Sequence, residues 1–233
     1  AFADSGDRLS FWPGGKLALS VRGPSAAQDM EGENNLVLKA ARLLEARISG
    51  LSLGAFELEK NLPVASGLGG GSADAAAALR LLARANHLAR DDARLYDAAR
   101  ATGADVPVCL ERRPRIMRGI GEILFPPLAL PRLPVVLVNP AVALATKAVF
   151  ARWTPAVHGP AADLDAIARP MGARPMGARP MGARPMSGDQ FVQFLRTQTN
   201  DLEGPAIALA PVIADLLAVL RELPGCKLAR MSG

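Results

Sequence analysis

Residues 61–85 read NLPVASGLGGGSADAAAALRLLARA, a Gly-rich loop set directly before one of the strongest helix-forming runs in the chain. The loop is expected over 61–71 and the helix from Ser72 to about Ala85. Glycines let the backbone turn through positive φ and let a ligand approach it closely. A helix start leaves amide N–H groups without intrahelical acceptors and carries the positive end of the dipole, so it favours an anion. A loop and helix joined in this way form a phosphate cradle. Ser72 suits an N-cap as well. Asp74, early in the helix, is expected to favour the dipole rather than to bind a substrate.

Other Gly-rich signatures fit this stretch worse. The P-loop needs Gly-Lys-Ser/Thr, and the loop has no Gly-Lys pair. A dinucleotide fingerprint starting at Gly67 would need glycine where Ser72 stands. A nucleophile elbow around Ser66 would need glycine at Val64. A plain glycine linker does not explain a Pro-x-x-x-Gly-Leu-x-x-x-Ser-Ala string closing on an Ala-rich helix.

Around the loop the periodicity mixes helices and strands. Residues 17–21 and 56–59 read as strands, the second alternating apolar and charged residues. Between them, Leu36, Ala40, Leu43 and Leu44 fall at helical spacing within 35–48. A further helix is expected over about 91–101, followed by the apolar run ADVPVCL and by RIMRGIGEIL. Prolines at 126, 127, 131 and 134 mark a boundary, placing one domain over 1–130 and a second over 131–233. In the second, the apolar run 135–138 reads as a buried strand. Helices are expected over 146–153, around 192–195, and over 211–220 with Pro211 at the first helical position. Residues 168–186 hold four near-perfect copies of Ala-Arg-Pro-Met spaced by single glycines. A proline every fifth residue blocks a regular helix, and the stretch reads as a disordered insertion in a solvent loop.

Charge narrows the choice of partners. The formal net charge is +5, but the repeat alone carries Arg169, Arg174, Arg179 and Arg184; without these four it falls to +1. A nucleic-acid-binding reading would therefore rest on one repeat. Cys109 and Cys226 are too far apart in sequence to suggest a metal or disulfide framework, and read as reduced buried thiols. His87 and His158 have no partner at metal spacing; His87 reads as a surface residue at a helix C-terminus. No apolar run reaches the ~18–20 residues of a membrane helix.

Pro63 to Ala73 resembles the phosphate-binding motif of the GHMP kinases (galacto-, homoserine-, mevalonate- and phosphomevalonate kinases). The longer string NLPVASGLGGGSADAAAALRLL is similar to the branch acting on 4-diphosphocytidyl-2-C-methyl-D-erythritol. Further matches follow in that family's order: Asn35-Leu36-Val37 with Ala40-Ala41, Gly103 to Val108, Met117 to Glu122, Asn139-Pro140, Asn200 to Glu203, and Ala229 to Gly233. Ser232 and Gly233 match the start of a third Gly-rich motif. The resemblance covers nearly the whole chain apart from the repeat.

What the resemblance implies is an α+β GHMP kinase fold. Its N-terminal half would be like the second domain of ribosomal protein S5 and its C-terminal half ferredoxin-like. The implied reaction is ATP-dependent phosphorylation of the substrate's 2-hydroxyl, with Mg²⁺ accompanying the nucleotide, in non-mevalonate isoprenoid synthesis. Asp105 matches the catalytic aspartate, the general base for the acceptor hydroxyl. Pro63, Val64, Ala65, Ser66, Gly67, Leu68, Gly69, Gly70, Gly71, Ser72 and Ala73 match the nucleotide-binding loop. Lys60 and Asn35, with Val64, match positions lining the adenine pocket. A cytoplasmic monomer or homodimer is implied, with a small-molecule substrate and with neither nucleic acid nor membrane as a partner.

The chain departs from the family at both ends. The start AFADSGDRLSF and the end CKLARMSG read as cut. The family's initial lysine-asparagine motif, its Asp-Gly-Tyr-His stretch and the rest of its third motif are missing, and Ala141 stands where glycine is usual. A base without its charged neighbour implies weak or no turnover, since one electrostatic group is typically worth about 10²–10³ in rate. Two other readings stay open: a nucleotide-binding remnant without turnover, and a kinase for another small alcohol such as homoserine or mevalonate.

Overall fold

Strict alternation in one strand organises the first half of the molecule. The computed structural model describes residues 3–26, 32, 34–64, 66–142, 144–154 and 186–233. The chain divides into two compact units, Ala1–Pro127 and Leu128–Gly233.

In the first unit, β3 (Gly54–Glu59) lies between β1 (Arg8–Pro13) and β2 (Ala18–Arg22). It runs antiparallel to β1, with Phe11 opposite Phe56, and parallel to β2, with Leu19 opposite Phe56. The period of two turns Phe56 and Leu58 into the core and Glu57 and Glu59 outward. On the outer face Arg22 spans both glutamates, at 3.0 and 3.3 Å. At Gly54 a Cβ would come within 2.0 Å of the Trp12 carbonyl, so β1 and β3 can cross this closely only at glycine.

Two parallel neighbours need a crossover, and α1 (Leu36–Glu45) lies between β2 and β3 in sequence. Its apolar stripe, Val37, Ala40, Ala41 and Leu44, is fully buried. Packed against it is α2 (Gly70–Ala85), whose Ala75, Ala76 and Ala78 replace bulk with close approach beside Leu79 and Leu82. Helix α3 (Ala93–Thr102) adds Leu95, Ala98 and Ala99 to the same core. The run ADVPVCL becomes a short helix, α4 (Val106–Glu111), with Pro107 in the first turn where a missing N–H costs nothing. A two-residue hairpin, β4 (Met117–Arg118) with β5 (Ile123–Leu124), completes the unit.

The described residues of the second unit form four helices: α5 (Thr146–Arg152), α6 (Gly188–Arg196), α7 (Glu203–Leu209) and α8 (Val212–Glu222). A capping box between Ser187 and Gln190 starts α6. Pro211 sits one place before α8, as its N-cap, rather than at the first helical position. The expected buried strand at 135–138 is not formed. Val135 and Val136 are 71% and 76% exposed and no strand passes through the segment. A continuous apolar run signals burial only where a neighbouring strand can take up its amides and carbonyls, and none of the described residues does so here. The repeat at 168–185 lies outside the described residues, and so does the expectation made for it. Among the described residues no single helix is long and apolar enough to cross a membrane.

Candidate active site

The alternation of β3 continues one residue beyond the strand, and this fixes the base of the Gly-rich loop. After Phe56 and Leu58 the next inward position is Lys60, which is only 4% exposed. A buried ammonium is costly unless paired. Two carboxylates meet it: Asp7, just before β1, and Asp74 on the inner face of α2, at 3.0 Å. The other oxygen of Asp7 accepts from the amides of Asn61 and Leu62 at 2.7 and 2.8 Å.

The electrostatics follow from one cation shared between two anions. Burial pushes the Asp74 carboxyl up to about 6, against the pull of Lys60 and with a further push from Asp7. Burial alone would lower Lys60; its bonds to Asp7 and Asp74 more than offset this and hold it above its ordinary value.

From Leu62 the chain enters the loop, and the glycines do what their spacing suggested. Gly67 and Gly69 stand at φ +70° and +68°, a left-handed conformation that most side chains avoid. Helix α2 begins at Gly70 with Gly69 as N-cap, so Ser72 is the third helical residue and not the cap. Gly69 brings no side-chain acceptor, and the first amide bonded within this turn is that of Ala73, to the Gly69 carbonyl at 2.9 Å. The amides ahead of it have no intrahelical acceptor by the geometry of an α-helix. They are the donors an anion would use. A Cβ on Gly70 would meet the Lys60 ammonium at 3.2 Å, and one on Gly71 would meet Leu36 at 3.4 Å.

The candidate residues fall in four places. Pro63, Val64, Ser66, Gly67, Leu68, Gly69, Gly70, Gly71, Ser72 and Ala73 form the loop and helix start; Ala65 lies outside the described residues. Asn35 is the N-cap of α1, its side-chain oxygen accepting from the Val37 amide at 2.8 Å, and the next residue, Leu36, is the one that packs on Gly71. Lys60 is turned into the interior below the loop. Asp74 lies beyond the first turn of α2 and is spent on Lys60, so the expected dipole role is replaced by an ion pair.

Asp105 is exposed, at the residue preceding α4. It caps nothing with its side chain. Two features set its place. Arg80 of α2 donates to the Cys109 and Leu110 carbonyls at 2.8 and 3.5 Å, tying the end of α4 to the helix that begins at the loop. Burial and the nearby Arg112 lower the Arg80 pKa. On the other side, Gly121 of the β4–β5 turn, at φ +108°, lies so close that a Cβ would come 2.8 Å from the Ala104 carbonyl. Cys109, one turn on and half-buried, has its thiol pushed up by burial and then by the charge of Asp105, which makes it a poor nucleophile. His87 is exposed just past α2, as read from the sequence.

In the second unit two of the distant motifs meet. Asn200 donates to the carbonyls of Met231 and Gly233 at 3.0 and 3.1 Å, and Glu203 accepts from the Met231 amide at 2.9 Å. The stretch 200–203 is thus a clasp for 229–233.

Comparison with known proteins identifies the family and the fold. Residues 35–112 match the GHMP kinases N terminal domain. The 4-diphosphocytidyl-2-C-methyl-D-erythritol kinase of Rhodopseudomonas palustris (strain BisB18) is 51% identical over all of this chain and 73% of its own length. That of Xanthobacter autotrophicus (strain ATCC BAA-1158 / Py2) is 52% identical over all of this chain and 76% of its own. A crystal structure of 4-(cytidine 5'-diphospho)-2C-methyl-D-erythritol kinase superposes with a TM-score of 0.67 at 32% identity, over 97% of this chain and 74% of that one. The chain, built on an α+β GHMP kinase fold, belongs to the 4-diphosphocytidyl-2-C-methyl-D-erythritol kinase family.

Proposed function

We propose that this chain transfers the γ-phosphoryl group of ATP to the 2-hydroxyl of 4-diphosphocytidyl-2-C-methyl-D-erythritol, in isoprenoid precursor synthesis. The observation that carries the reading is the uncapped start of α2 behind two left-handed glycines, which presents amides to an anion. Relatives at about 50% identity over the whole chain support the choice of acceptor.

Phosphoryl transfer needs positioning and charge stabilisation more than covalent help. The loop amides and the α2 dipole hold the triphosphate. Asp105, exposed and uncommitted as a cap, orients the acceptor hydroxyl and takes its proton. Asn35 and Val64, at the loop's flank, border the adenine. Mg²⁺ fits this site through the nucleotide rather than through a protein cage: no cluster of three or more metal-binding side chains occurs among the described residues. Such an ion usually takes one or two protein oxygens besides the phosphates. Ser72, half-buried at the helix start, would supply one through its hydroxyl. When bound, the ion neutralises charge on the transferring group.

A substrate panel tests the reading. ADP release from Mg·ATP is followed with 4-diphosphocytidyl-2-C-methyl-D-erythritol, homoserine or mevalonate as acceptor. Release that depends on the first alone is expected. Release with another acceptor would overturn the substrate assignment, and saturable ATP binding without release under any condition would favour a non-catalytic nucleotide-binding protein.

A further inference from the structure

Asp7 belongs to none of the motifs that carry the family likeness, yet its carboxylate makes three bonds at the root of the loop. One oxygen takes the amides of Asn61 and Leu62, where the loop begins. The other takes the Lys60 ammonium, which is also bonded to Asp74 on α2, where the loop has ended. The Asp7 side chain is 2% exposed, so its carboxylate is largely withdrawn from water and salt. Gly70, the first residue of α2, packs directly on this cluster: a Cβ there would lie 3.2 Å from the Lys60 ammonium, which would have to give by a few tenths of an ångström, and in ordinary contact with Asp7 at 3.4 Å. The entrance and the exit of residues 63–69 are therefore held by a single buried cluster.

We propose that Asp7, acting with Asp74 through Lys60, is a positioning residue that fixes both ends of the phosphate loop, so that its amides stand ready for the triphosphate before it arrives. The inference rests on the kinase reading above. Its physical content is preorganisation: a loop pinned at both ends loses less conformational entropy when the nucleotide binds. Asp7 touches neither nucleotide nor acceptor in this account. It acts on nucleotide affinity, while the acceptor's KM is independent of it.

The test uses the whole chain and its Asp7→Asn, Asp7→Glu and Asp74→Asn variants. Mg·ATP affinity is measured by calorimetry, the KM of each substrate by ADP release, and exchange of the amides of residues 61–69 by mass spectrometry. Asp7→Asn keeps an acceptor for the two amides and removes the charge, so it retains the fold. The expected result is ATP affinity about tenfold or more weaker in Asp7→Asn and Asp74→Asn, an unchanged acceptor KM, and faster exchange at 61–69 with α3 unaffected. Asp7→Glu should recover part of the affinity. A merely structural role would instead lower the folded fraction and leave the affinity of the folded protein intact. Folded Asp7→Asn binding Mg·ATP within twofold of wild type would overturn the inference and leave the kinase reading standing. Wild-type chain that is folded and does not bind Mg·ATP would overturn both.

Discussion

Replacing Lys60 with methionine keeps the length of the side chain and removes the one cation between two buried carboxylates. Asp7 and Asp74 have side-chain exposures of 2% and 9%, so water cannot screen them. Breaking a buried pair in this way costs about 3–5 kcal/mol. The sign of the pH dependence follows from Asp74. Its pKa in the fold is raised from 3.8 to about 6, so its contribution to stability is fully present below about pH 4 and is lost as pH rises through 6. In wild type that loss is of the order of 3 kcal/mol. Without the ammonium it is larger, because the influence that favours the charged form has gone. Lys60→Met should therefore be severely destabilised at pH 7.5 and recover much of the deficit at pH 5. Amide exchange in α2 reads the first unit separately from the second. Corrected for intrinsic rates, it should be about a hundredfold to several thousandfold faster than wild type at pH 7.5, by a factor of ten per 1.4 kcal/mol. At pH 5 the gap should close by at least tenfold. Exchange within threefold of wild type at pH 7.5, or a gap that widens on acidification, would refute the buried cluster. It would favour the alternative in which Lys60 faces the adenine.

Three other substitutions probe separate joints. Gly69→Ala places a side chain at φ +68°, a strain of about 1–2 kcal/mol, and should weaken Mg·ATP binding roughly tenfold by calorimetry. Gly121→Ala drives a Cβ to 2.8 Å from the Ala104 carbonyl, next to Asp105; kcat should fall about tenfold or more while ATP affinity stays within twofold. Asn200→Ala deletes two donors to the 231–233 backbone and should cost the second unit about 1–3 kcal/mol, seen as faster amide exchange at 229–233 and not in α2.

What the sequence disclosed depended on how local the cause was. The loop and α2 were legible because glycine conformation and helix propensity act over a few residues; only the start of the helix moved, from Ser72 to Gly70. The inward turn of Lys60 was implicit in the Phe-x-Leu-x-Lys alternation of 56–60, and burial of an ammonium demands counter-charges. Which carboxylates answer was not legible: Asp7 lies 53 positions away along the chain and meets Lys60 only because β1 pairs with β3. Asp74 misled for a related reason. Its position near a helix start suggested a dipole role, while its helical phase, beside Ala75 and Ala78, puts it on the inner face. The run 135–138 failed because an apolar string records what would be favourable to bury and not whether a partner is at hand. In the second unit, the meeting of 200–203 with 229–233 explains why two short polar motifs far apart belong together, which neither shows alone.

The central claim is that the α2 phosphate loop and Asp105 serve one reaction. The most direct measurement is transfer of radiolabelled γ-phosphate from Mg·ATP to 4-diphosphocytidyl-2-C-methyl-D-erythritol, with folded Asp105→Asn measured beside wild type. The account predicts slow but measurable transfer that falls at least about 10²-fold in the variant, while both proteins bind Mg·ATP equally. Transfer unchanged by Asp105→Asn, or its absence from folded wild-type chain that binds both substrates, would contradict it.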